Sequence, residues 1–161
     1  MIVVSNTSPI INLAAVGHLG LLLQLYRQIR IPEAVYKEIV IAGAGQPGAD
    51  EVHTADWIKM GKVTNESFVR LLEIELDAGE AEALALALEL KADLVLLDER
   101  RARRIASRLN LRHIGLLGVL IEGKRRRHLE SVKPVLDALI SAAGFWVSSG
   151  LYDRVIEVAG E

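Results

Sequence analysis

The chain contains no cysteine, which excludes disulfides, thiolate metal sites and cysteine nucleophiles and allows a reducing compartment. Aromatics are scarce: two Trp, three Tyr and two Phe among 161 residues. The apolar mass is Leu, Ile, Val and Ala, which suits Ala- and Leu-rich helices packed on aliphatic strands. No apolar run approaches the roughly 20 residues needed to span a bilayer. The segment Met1 to Val4 lacks a basic start and meets polar Asn6, Thr7 and Ser8 at once, so it does not read as a secretory leader. A cytoplasmic protein without a membrane segment is expected. Charge of one sign is also missing, since the formal net charge is −2, and a bulk nucleic-acid binder is disfavoured. The charge is uneven, however. Arg100, Arg101, Arg103, Arg104 and Arg108 cluster, as do Lys124, Arg125, Arg126 and Arg127. Such patterning allows a basic face beside an acidic pocket.

What is present is an alternation of short apolar runs with helical patterns. Ile2 to Ser5 reads as a buried parallel strand. Asn6, Thr7 and Ser8 are N-cap types, and Pro9 suits a first helical turn, so a helix is expected from Pro9 to about Val16. Leu19 to Tyr26 reads as an apolar helix and Gln28 to Ile31 as a second strand. Pro32 opens a third helix carrying Val35, Ile39 and Val40 on one side. The Gly-rich stretch Ala42 to Gly48 is a loop, and without a following GK[ST] it is no phosphate loop. A weak helix near Ala49 to Trp57 and an irregular or extended piece from Ile58 to Val63 come next. Gly79 to Leu90 is a strong helix, and Leu94 to Leu97 the clearest strand. A helix from Arg101 to Leu109, a strand from Leu111 to Ile114 and helices near Leu116 to Lys124, Val132 to Ala143 and after Gly150 complete the pattern. This predicts one α/β domain over residues 1–161, with helices on both faces of a mainly parallel central sheet.

In such sheets, sites form outside the carboxyl ends of the strands. Asn6 and Asp98 fall there directly, with Thr7 and Ser8 beside Asn6. Glu38 and Glu80 lie on helices that can face the same edge. Oxygen ligands of this kind suit hard divalent ions, which keep several waters and need few carboxylates. Each residue also has a plainer reading. Asn6, Thr7 and Ser8 can simply cap a helix, Glu38 can be a solvated helix residue, and Glu80 and Glu82 can answer a helix dipole. Asp98 can cap the helix that follows it. The arginines after Asp98, Arg101 first among them, read either as a solvated face or as a grip on a nucleic-acid backbone. His18, His53, His113 and His128 show no metal spacing, and His113 reads as structural. Trp57 and Trp146 read as core or interface anchors.

The wording of these segments resembles the PIN-domain family. IVVSNTSPIINLAAVG is similar to its first motif, a strand ending in Asp-Thr-Ser and running into a helix. IPEAVYKEI resembles the second motif, matching Glu38, and DAGEAEALALA the third, matching Glu80. VLLDERRARRIA followed by LNLRHIGLLGVLIEGKR resembles the fourth, matching Asp98. The particular phrases SPII, GEAEAL, LLDERRARRIA and IGLLG are similar to a prokaryotic subgroup related to VapC-like toxins. The resemblance implies a three-layer α/β/α sandwich and an endoribonuclease that hydrolyses RNA phosphodiester bonds. Asn6, Glu38, Glu80 and Asp98 would then surround Mg²⁺ or Mn²⁺, with Thr7, Ser8, Glu82 and Arg101 in support. It further implies a toxin–antitoxin setting with a small antitoxin partner and a homodimer, for which the apolar helix Leu19 to Tyr26 is a candidate surface.

One departure stands out. The family's first motif carries Asp where this chain has Asn6, so an oxygen ligand is kept and a negative charge is lost. Three readings follow: an active enzyme with a weakened site, a degenerate module that binds RNA or a protein partner, or an engineered inactive form. A receiver-like or small-ligand domain fits less well, because there is neither a glycine fingerprint nor a paired-Asp phosphoacceptor site.

Overall fold

The computed structural model describes residues 1–161. The strands are β1 (Val3–Ser5), β2 (Ile29–Pro32), β3 (Ile58–Gly61), β4 (Leu94–Leu96) and β5 (His113–Ile114). They form one sheet in the order β3-β2-β1-β4-β5, and every neighbouring pair is parallel. The chain therefore winds outward from β1 through β2 to β3, then returns to the other side of β1 to lay down β4 and β5. The point of reversal lies between β1 and β4.

The helices are α1 (Thr7–Ala15), α2 (Gly20–Tyr26), α3 (Glu33–Tyr36), α4 (Ala49–Thr54), α5 (Glu66–Leu72), α6 (Ala78–Leu90), α7 (Arg100–Arg108), α8 (Leu116–Arg125), α9 (Lys133–Ser141) and α10 (Ser149–Val158). Side chains alternate across a strand, and the two apolar clusters divide accordingly. Val3, Ile29, Ile31, Leu94 and Leu96 pack with α1, α2, α8 and α9. Val4, Val95 and Leu97 pack with α5, α6 and α7. Continuous apolar strands are what burial on both faces requires, and the expected α/β/α layering with a parallel sheet is present.

Several local expectations change. The helix opened by Pro32 is α-helical only from Glu33 to Tyr36 and continues as a wide π-helical turn, Lys37–Ala42. Pro32 itself is the last residue of β2 and the extended residue before the helix. The strand expected from Leu111 contracts to His113–Ile114, because Leu111 instead buries its side chain beside α6 and α7. Helix α5 goes unforeseen, although Asn65 caps it by accepting a hydrogen bond from Phe68 N at 3.1 Å. The proposed dimer surface on α2 is also corrected: Leu21, Leu22, Leu25 and Tyr26 are buried in the chain's own core, leaving Leu23 as its one exposed large apolar side chain. Trp146 is no core anchor, being 82% exposed, whereas Trp57 packs against the core as expected. No helix is long and apolar enough to cross a membrane.

Candidate active site at the sheet's carboxyl edge

Strands β1 and β4 run side by side, with Val3, Val4 and Ser5 opposite Leu94, Val95 and Leu96. Asn6 N donates to Leu96 O at 3.1 Å, extending the ladder one residue past β1. This register brings Asn6 and Asp98 to the same edge at the reversal point, where open α/β sheets bind ligands. Asn6 is buried and occupies the position before α1, yet its side chain makes no capping hydrogen bond. The simple capping reading of Asn6 is therefore set aside.

Helix α6 begins at the same edge. Asp77 caps it by accepting from Glu80 N at 2.8 Å, a signal present in the sequence as an acid three residues before a glutamate. The next feature is Gly79. A Cβ at this position would stand 3.0 Å from Glu38 Oε2 and 3.3 Å from Asn6 Oδ1. The missing side chain lets oxygens from β1's end and the π-helical turn meet over the first turn of α6. Glu38 is exposed but not loose: Thr7 Oγ1 donates to its Oε2 at 2.9 Å. Glu80 is buried. Burial, together with the hydrogen-bonded and like-charged Asp77 carboxyl, pushes its pKa up to about 8.

Asp98 follows β4 by two residues and is held from two sides. Leu116 N, at the start of α8, donates to Oδ1 at 2.7 Å, and Ser8 Oγ donates to Oδ2 at 3.3 Å. Ser8 in turn accepts from Asn12 Nδ2 at 3.1 Å. Burial pushes the Asp98 carboxyl above its usual value, and the Leu116 N–H, Ser8 and the Arg103 guanidinium oppose that rise. Asp98 thus caps α8 rather than the helix beginning at Arg100.

Two supporting roles are corrected. Glu82 is engaged elsewhere: its Oε1 accepts from Ala34 N at 3.1 Å, closing the first turn of α3. Arg101 donates to Glu75 O at 3.2 Å, so its guanidinium is engaged by the segment before α6. The arginine beside Asp98 is Arg103, since a Cβ on Gly115 would stand 3.1 Å from Asp98 Oδ1 and 3.5 Å from the Arg103 guanidinium. His113 is structural, bonded to Ser107 Oγ at 2.9 Å. Sequence reasoning missed Asp77, Gly79 and Asn12, and named Arg103 only within the arginine cluster after Asp98. A glycine in the first turn of an otherwise Ala-rich helix was the signal available for Gly79.

The donors at this edge are all oxygens, from one amide and three carboxyls. No three acidic or histidine side chains lie close enough together to hold an ion unaided, so Glu38, Glu80 and Asp98 do not form a ready-made carboxylate cluster, and Asn6 adds no further charge. Such a set fits a hard divalent cation that takes few protein oxygens and keeps several waters.

A parallel α/β/α sandwich with acidic side chains placed along the edge at the reversal point is the arrangement of a class of cation-dependent hydrolytic domains. The family model for the PIN domain matches residues 2–161, and the chain belongs to that family. PIN domains are in general divalent-metal-dependent nucleases. A search of the curated proteins found no match to the chain.

Proposed function

We propose that this PIN domain is a Mg²⁺- or Mn²⁺-dependent endoribonuclease, with Asn6, Glu38, Glu80 and Asp98 as the cation-holding set. The observation that carries the reading is the cradle over Gly79, where Glu38 Oε2 and Asn6 Oδ1 converge beside buried Glu80. When bound, a divalent cation supplies an activated water and counter-charge for the phosphate. The chain's own residues supply position. Thr7 fixes the Glu38 carboxylate, while Ser8 and Leu116 N fix Asp98. Arg103, which forms no salt bridge, sits where a phosphate approaching Asp98 meets positive charge. The likeness to VapC-like proteins supports a toxin–antitoxin setting, a small antitoxin that occludes the edge and a homodimer; the lack of a leader-like start or membrane-spanning run supports a cytoplasmic location.

The interrupted acidic set favours a second reading, a PIN module that binds RNA or a protein without cutting. Cleavage of a mixed RNA panel with Mn²⁺ separates the two, comparing this chain, Asn6→Asp and Asn6→Asp combined with Asp98→Ala, with EDTA as control. Cleavage by the first two forms, or by Asn6→Asp alone, that is lost in the third supports the nuclease. Silence in all three favours the binding module, and equal EDTA-resistant cleavage in all three overturns this site.

A further inference from the structure

An open groove of about 720 Å³ leads away from Asp98 and Ser8, between α8 and α10. Its chemistry is mixed. Leu117 and Ile121 of α8 and Leu151 of α10 provide apolar walls, and Phe145 and Trp146 of the connecting segment line it as well. Trp146 is 82% exposed, a heavy solvent exposure for an indole. Arg103 at the inner end and Arg154 on α10 also line the groove, and neither forms a salt bridge. Glu99 is the acidic neighbour of Asp98 at the same end.

We infer that this groove is a subsite for single-stranded RNA next to the scissile bond, with Trp146 stacking on a base and Arg154 and Arg103 contacting phosphates. The inference rests on the nuclease reading of Asp98. An apolar partner helix would bury the charge of Arg154 and of Arg103, whose Nε donates only to His113 Nδ1 at 3.5 Å, without a salt-bridge partner, which is costly. An RNA strand answers both features at once, because bases stack on aromatic faces and the backbone meets the arginines. Continuity with Asp98 and Ser8 puts that strand at the proposed reaction centre. Only an unpaired base exposes the face that Trp146 offers to cover, so duplex RNA is excluded as the occupant.

The test is binding of a short fluorescein-labelled single-stranded RNA in EDTA, read by anisotropy across a salt series, so that no cleavage is needed. Trp146→Ala should weaken binding roughly 5- to 100-fold, and Trp146→Tyr should restore most of it. Arg154→Gln should reduce the slope of log affinity against log salt by about 0.7. Unchanged affinity in Trp146→Ala overturns the subsite, as does equal or tighter binding of duplex RNA. A dimer that dissociates in Trp146→Ala with RNA binding intact also overturns it and assigns the groove to a second copy. The two readings fail separately. Cleavage that depends on Asp98 but ignores Trp146 removes the subsite alone; Trp146-dependent binding without any cleavage removes the nuclease alone.

Discussion

The carboxylate of Glu38 lies so close to Gly79 that a methyl group on that glycine would stand 3.0 Å from Oε2. Since Gly79 is helical, alanine there suits the backbone and gains up to about 1 kcal/mol of helix propensity. Gly79→Ala should therefore melt within about 1 kcal/mol of the parent while losing roughly 10- to 100-fold in Mn²⁺ affinity, as calorimetric titration would read. Unaltered Mn²⁺ binding would remove the cradle from the site.

Asp98 has both a structural and a chemical role, and two substitutions separate them. Asp98→Asn can still accept from Leu116 N and should fold normally, but should lose Mn²⁺-dependent cleavage. Asp98→Ala leaves Leu116 N and Ser8 without their acceptor and should cost about 1–3 kcal/mol in urea unfolding as well. Equal stability of the two variants would show that the hydrogen bonds contribute little.

Glu80 and Glu82 share a helix and should behave oppositely. Glu82→Ala opens the cap on Ala34 N and should lose about 1 kcal/mol of stability with Mn²⁺ affinity intact. Glu80→Gln should keep its stability in metal-free buffer, since its carboxyl holds a proton up to about pH 8, and should bind Mn²⁺ poorly. A Glu82→Ala variant with weakened Mn²⁺ binding would return that residue to the site.

A pH effect is expected far from the site, at Glu161. Its carboxylate accepts from Ser131 Oγ, Val132 N, Lys133 N and Lys124 Nζ, tying the end of α10 to the start of α9. These bonds, that to Ser131 foremost, pull its pKa down to about 2. A carboxyl with a lowered folded pKa adds stability that is complete above its unfolded value, near 4.5, and is lost as pH falls toward 2. Glu161→Gln should therefore be less stable than the parent at neutral pH, with the gap closing in acid. A gap that stays constant from neutral pH to pH 3 would contradict this.

The layers and the strands were legible because burial on both faces leaves a continuous apolar mark, as in Val3 to Val4 and Leu94 to Leu97. The two residues placed by strand ends, Asn6 and Asp98, were legible for the same reason. Glu38 and Glu80 needed the family likeness, because a single glutamate on a helix carries no address. What stayed hidden depends on side chains reaching across the fold. Nothing local distinguishes Arg101, bonded to Glu75 O, from Arg103, which lies beside Asp98. Likewise, Glu82 and Glu80 differ only in which neighbour α6 meets. The exposure of Trp146 was missed because an aromatic in an apolar context is usually buried.

The wide turn Lys37–Ala42 acts as one extra residue wound into an otherwise ordinary helix. Removing that residue would rotate everything beyond the deletion by about 100° relative to what precedes it. Deletion of Lys37 would turn Glu38 away from Thr7 and Ile39 away from the core together. Of the acids at this edge, those after β1's neighbour and on α6 are set by sheet and helix, while Glu38 depends on a single-residue count. Length changes in this segment should thus be inherited together with the glutamate or lost together with it.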